Sequence, residues 1–243
     1  MAKRKKRKST PHSKRSGCSV GQFFLALIVL AGVFVLYQLS ANLDDNGNAD
    51  DVWSRISNLL GIGAPRVGIV VGHWQNDSGA VCPDGLEEVE INLDVAERTA
   101  GLLRRAGYKV DLLAEFDPQL DNYEADVFLS IHADSCVNGV SGFKLARLPE
   151  SQVAAKTDRL VDALYREYAN LTGLDPHYHT ITYDMRDYHA FHEISPATPG
   201  AIIEIGFMGA DRDILTRRSD LVARGIARGI IAYLQEEREL EAN

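Results

Sequence analysis

Cysteine is scarce in this chain. There are three, Cys18, Cys82 and Cys136, with no Cys-x-x-Cys pair and no zinc-finger spacing. That excludes the thiolate-built metal modules. The odd number leaves at least one thiol over or paired between chains. Basic residues are also scarce outside one end. Of 26 Lys and Arg, eight lie within residues 1–17, so 18 remain against 34 Asp and Glu, a net charge near −16 for the rest. A body that acidic is poorly suited to neutralising phosphates, and nucleic acid is excluded as a partner. No segment repeats at a fixed period, which excludes solenoids and propellers.

One further absence is local. From Ser19 to Leu39 the chain reads SVGQFFLALIVLAGVFVLYQL, with no charged residue. A helix rises about 1.5 Å per residue, so about twenty residues cross a hydrocarbon core of about 30 Å. The basic flank before it predicts a cytoplasmic N-terminus, with everything after residue 40 on the far side. A buried core helix is seldom uncharged for so long. A cleaved signal peptide is the better rival, but the apolar run is long and Leu39-Ser40-Ala41 is a weak cleavage site. The expectation is a basic tail over 1–17, a transmembrane signal anchor over 18–40 and an acidic linker over 41–64. Val52 to Leu60 has the spacing of a short amphipathic helix within that linker. A domain follows over 65–237, then a tail over 238–243.

What is present in the domain is strand alternating with helix. Arg66 to Val71 is a short β-branched run that ends on Gly72-His73. Asp126 to Ile131 repeats the plan and ends on His132. Ala201 to Ile205 carries Glu204. Helical spacing runs over 86–106, 150–171 and 211–237, with further strands over 108–113 and 142–147. This predicts an α/β fold, a mostly parallel twisted sheet with helices on both faces. In such sheets chemistry sits beyond the carboxyl ends of the strands, so His73, His132 and Glu204 are expected to converge. Alternation over His177 to Tyr183 suggests His177 and His179 on one strand face, and His189 and His192 share a helix face.

A catalytic zinc takes three protein ligands and leaves one position open. His73 and His132 are two candidates. The third is sought among Glu87, Glu88 and Glu90, which open the next helix. These also suit its dipole without any metal, and spacing does not choose among them. Glu204 sits among Ile202, Ile203, Ile205 and Phe207. A carboxylate there is costly unless it has a use or a partner; the plain alternative is a strand-end cap or ion pair.

Taken in order, Gly72-His73, Gly79-Ala80, Gly85-Leu86-Glu87-Glu88-Val89-Glu90-Ile91-Asn92-Leu93, Ser130-Ile131-His132-Ala133 and Ile203-Glu204-Ile205-Gly206-Phe207 resemble the zinc-dependent N-acetylmuramoyl-L-alanine amidases of the amidase type 3 group. The resemblance covers about residues 66 to 236. It implies that His73, Glu88 and His132 hold Zn2+, with Glu88 chosen by its place five residues before Leu93. It implies that Glu204 is the catalytic carboxylate, and that the substrate is peptidoglycan, cut between N-acetylmuramic acid and L-alanine. The rivals are a zinc peptidase or amidase for a different amide, and an inactive cell-wall-binding domain.

The chain departs from the group's pattern beside His73, where two glycines are replaced by Trp74 and Gln75; a narrower, more adhesive rim is expected. Asp134 stands where the group has Asn. Trp74, Gln75, Asp134, His189 and His192 are candidate substrate contacts. If both histidine strands end at the metal, Cys82 and Cys136 lie near each other, and a disulfide between them is expected outside the membrane; a fourth zinc thiolate is the rival. Cys18 is then the odd thiol, at the membrane face. The cytoplasmic membrane is the other expected partner, and no regulatory protein is named by the sequence.

Overall fold

The computed structural model describes residues 63–242. The predicted tail, anchor and most of the linker, including the 52–60 segment, lie outside the described residues. Among the described residues no helix is long and apolar enough to cross a membrane.

Five strands form one sheet: β1 (Arg66–Val71), β2 (Lys109–Leu113), β3 (Val127–Asp134), β4 (Lys144–Ala146) and β5 (Gly200–Phe207). Their order is β2-β1-β3-β5-β4. The first four neighbours run parallel, and β4 closes the edge antiparallel to β5. The chain leaves β1 for β2 on one side and returns to β3 on the other. The gap between β1 and β3 is therefore the switch point, where a cleft opens beyond the carboxyl ends.

The strands are apolar on both faces because both are covered. Val67, Ile69, Val71, Leu129, Ile131, Ile203 and Ile205 face one core with α1 (Glu88–Arg105), α2 (Ala154–Thr172) and α6 (Ser219–Ala242). Val70, Phe128 and Ile202 face a second, smaller core. That side is roofed by short pieces: a 3-10 turn at Pro118–Leu120, α3 (Tyr183–Arg186) and α4 (Ala190–Glu193). Helices do cover both faces, but unequally: among the described residues every long helix lies on one side.

Three expectations are corrected. The alternating stretch from His177 is not a strand; Tyr178–Thr180 is a 3-10 turn. The chain meets the edge beside β4 only just before this stretch, through a single parallel bridge between Phe143 and Pro176 and the His177 N–H bond to the Phe143 carbonyl, and then turns away. The last helix is broken in two, α5 (Arg212–Arg217) and α6, with Arg218 between them. The 238–243 tail is largely the end of α6, which runs to Ala242.

α6 and α2 pack closely because α6 offers glycines where they touch. A Cβ on Gly229 would stand 2.8 Å from Leu164 Cδ2 and 2.9 Å from its Cα; a Cβ on Gly225 would meet Tyr168 at 3.0 Å. Overpacking a core contact costs about 1–3 kcal/mol, whereas alanine in place of glycine gains at most about 1 kcal/mol of helix propensity. Clash wins when the neighbour is backbone. Gly229→Ala should therefore lower stability by about 1 kcal/mol, seen as a lower urea midpoint at an unchanged slope; an unchanged or raised midpoint would count against this packing.

Candidate metal centre

β1 ends at Val71, and the chain turns sharply through Gly72 and His73. His73 takes φ +66°, a left-handed conformation that a residue with a Cβ seldom adopts. Gln75 takes φ +62°, where the resembled pattern has glycine. The turn points His73 back over the strand end. His132 is the sixth residue of β3 and lies opposite Glu204 on β5, so both side chains leave the sheet on the same face. A bulge follows, with Asp134 opposite Phe207. Glu88 opens α1, where its negative charge also suits the helix N-terminus.

These elements bring His73, Glu88 and His132 together, one ligand atom of each lying within 4.8 Å of the others. Nε2 of His73 and Nδ1 of His132 each stand 3.2 Å from Oε1 of Glu88. Glu88 is held by backbone, accepting from Ala80 N–H on Oε2 at 3.0 Å and from Ala133 N–H on Oε1 at 3.2 Å. Asn92, one turn along α1, donates to Glu88 Oε1 and to the Gly72 carbonyl. The outer nitrogen of each imidazole faces a second carboxylate. His73 Nδ1 is 2.6 Å from Asp77 Oδ1, and His132 Nε2 is 3.6 Å from Glu115 Oε2. Histidines that hold a metal are oriented in this way.

Glycines clear the space. A Cβ on Gly72 would strike the His132 ring at 2.5 Å, and a Cβ on Gly79 would stand 2.6 Å from Glu88 Oε2 and 2.7 Å from His73 Cδ2. The donor set is two imidazoles and one carboxylate. It suits zinc, which accepts nitrogen and oxygen ligands.

Electrostatics point the same way. Burial works against ionisation of Glu88, but hydrogen bonds from His132 and His73 hold its pKa well below the usual carboxylate range. The bond to Glu88 pushes His73 up to about 9. His132 is also raised, with Glu88, Glu204 and Glu115 overcoming burial. The carboxylates thus ask for positive charge, as protons on the imidazoles or as a cation between them. Glu204 is partly buried, with its Oε2 shut off from solvent; burial, aided by Glu88 and Asp134, pushes its pKa up to about 7. Its Oε2 makes no hydrogen bond.

A family model described as N-acetylmuramoyl-L-alanine amidase matches residues 67–232. The chain belongs to that amidase family. It is similar to the amidase LytC of Bacillus subtilis, 27% identical over 205 residues, 77% of this chain and 39% of the relative. It is similar to AmiC of Neisseria meningitidis, 34% identical over 80 residues, 29% of this chain and 19% of the relative. Among solved structures, AmiC2 of Nostoc punctiforme superposes with a TM-score of 0.51 at 25% identity, covering 70% of this chain and 97% of that one. The chain thus spans well under half the length of the curated relatives it matches.

The amidase domain places the remaining expected residues variously. Trp74 packs partly against the helix-side core, and Gln75 is exposed at the turn. Asp134 forms an ion pair with the buried Lys144, which also donates to Thr180. His189 lies between Glu115 and Glu193, with Phe116 stacked on its ring. His192 is exposed and pairs with Asp187. His177 bonds Thr180 and lies outside the histidine–carboxylate cluster. Cys82 and Cys136 are joined by a disulfide, with Cα atoms 5.3 Å apart; neither is a thiolate ligand.

Glu115, Asp77, Asn92, Tyr188 and Lys144 were not singled out from sequence. Glu115 had a signal, because it follows the carboxyl end of β2, next to the switch point. Tyr188 and Lys144 had none, since they reach the site only through tertiary pairing.

Glu204 gives a testable sign. Its folded pKa is above its ordinary value, so the folded chain holds a proton that the unfolded chain releases between pH 4.5 and about 7. Stability is lost across that window as pH rises. In metal-stripped protein, Glu204→Gln should match the wild type below pH 4.5, gain stability progressively to about pH 7 and hold that gain above it. Melting temperatures across pH check this; a gain confined to acid pH would contradict it.

Proposed function

We propose that the chain is a membrane-anchored, zinc-dependent peptidoglycan hydrolase, cutting the amide between N-acetylmuramic acid and L-alanine. The observation that carries this reading is the convergence of His73 Nε2, His132 Nδ1 and the Glu88 carboxylate beside a buried Glu204 oxygen without a partner. Family membership over residues 67–232 supports the substrate.

Zinc held by His73, Glu88 and His132 would supply a Lewis acid that acidifies water and polarises the amide carbonyl. The chain's own work is to move the proton. Glu204 takes it on Oε2 as the water oxygen joins the carbonyl carbon. It returns the proton to the amine nitrogen as the C–N bond breaks. A carboxyl poised near pH 7 suits both halves of that exchange. Asp77 keeps the proton of His73 on Nδ1, leaving Nε2 free to ligate. The Cys82–Cys136 bridge ties the loop that follows His73 to the segment that follows His132. Trp74 and Gln75, which follow His73 in its turn, and His189, paired with Glu115, are the substrate contacts in this reading.

The uncharged stretch 19–39 and its basic flank support an anchor that holds the domain on the outer side of the cytoplasmic membrane. The full chain should remain with the membrane pellet through alkaline carbonate washing, and deletion of 19–39 should release it. Release of the intact chain would remove the anchor from the reading.

Activity is tested on purified peptidoglycan with mass spectrometry of the products. The full chain with zinc should release stem peptides beginning at L-alanine, and chelation should stop release until zinc is restored. Glu204→Gln should lower kcat by about 10²–10⁴-fold, the usual contribution of a positioned acid–base group. No peptide release by the zinc-loaded wild type would overturn the reading. Cleavage at another amide would favour the rival substrate that Trp74 and Gln75 suggest.

A further inference from the structure

Glu115 is outside the three-residue cluster, yet it touches two of its members. It follows β2 by two residues and is 5% exposed. Its Oε2 accepts the backbone N–H of His73 at 2.6 Å and lies 3.6 Å from Nε2 of His132. Its Oε1 accepts the Tyr188 hydroxyl at 2.7 Å and faces His189 Nε2 at 3.0 Å. Tyr188 in turn accepts from Ser130, two residues before His132 on β3, and sets its ring edge-on to the His132 imidazole.

Two features of the site require such a carboxylate. The left-handed backbone of His73 persists only where its surroundings fix it, and the short bond to Glu115 does so. The buried Nε2 of His132 has no hydrogen-bond partner at normal distance. Its Nδ1 points at Glu88. When Nδ1 offers its lone pair, Nε2 carries the proton, and the carboxylate facing that proton is Glu115.

We propose that Glu115, braced by Tyr188, is a positioning residue that fixes the His73 backbone and the His132 tautomer together. Both imidazoles then present lone pairs to one point beside Glu88. The proposal rests on the metal reading above and adds a residue to it. The pair Glu115–Tyr188 acts as one unit, because the hydroxyl reaches the histidines only through the carboxylate.

The test is zinc affinity of the full chain, measured by competition with a chromogenic chelator, together with the visible spectrum of the Co2+-loaded protein. Glu115→Gln keeps the shape and removes the charge. It should bind zinc about tenfold more weakly, the lower end of what outer partners of a metal ligand contribute, and shift the Co2+ bands. Tyr188→Phe should weaken zinc by about threefold, a typical neutral hydrogen bond. The double variant should be no weaker than Glu115→Gln alone, because the two changes break one chain of contacts. A purely structural role would give additive losses and an unaltered Co2+ spectrum, and that result overturns the proposal. So does wild-type affinity in Glu115→Gln, or in Tyr188→Phe should the first variant fail to fold. If the wild type itself takes no zinc, the metal reading falls first and this proposal with it.

Discussion

An ionised carboxylate buried without partners costs several kcal/mol, and Glu88 is a buried carboxylate that stays ionised. The structure around it follows from meeting that cost. Two imidazoles, two backbone N–H groups and the Asn92 amide converge on its two oxygens. The five partners come from four places: the turn after β1, the end of β3 (which supplies both His132 and the Ala133 N–H), the loop before α1 and the next turn of α1. Satisfying one side chain therefore fixes how four segments meet at the carboxyl end of the sheet. A cation placed among them completes what the hydrogen bonds begin.

The loop from His73 to Glu87 is shaped by the same demand. Gly79 passes so close to Glu88 and His73 that no side chain fits, and its neighbour Ala80 supplies one of the N–H groups. Gly72 is empty for the sake of His132. The disulfide fastens this loop to the segment beyond β3, where neither end is held by regular structure. Stability and site geometry are here a single problem: an irregular loop is held by the disulfide and by its contacts to Glu88.

The sheet was legible in the sequence because burial on both faces leaves strands as short apolar β-branched runs. β1, β3 and β5 stood out by that signature, and Gly72-His73 and His132 marked their ends. The resemblance to the amidases chose Glu88 over Glu87 and Glu90, where spacing and charge did not. The structure supplies the physical reason. Glu88 alone of the three is buried, because it faces the strand ends from the first position of α1. The stretch from His177 misled, since alternation over a few residues describes a turn as well as a strand.

By itself the sequence determined the alternation of strand and helix, the parallel sheet, and the histidines and carboxylates offered at strand ends. These are local consequences of side-chain periodicity and backbone preference. Only the tertiary structure decided the unequal roofing of the two faces, the break before α6, and the circle of second partners, Asp77, Glu115, Tyr188 and Lys144. Asp77, Glu115 and Tyr188 sit in turns and loops whose sequences carry no periodic signal, and Lys144 opens a strand of three residues. Their partners lie up to 74 residues away, and such a meeting is fixed by packing and strand order rather than by anything in the neighbouring residues.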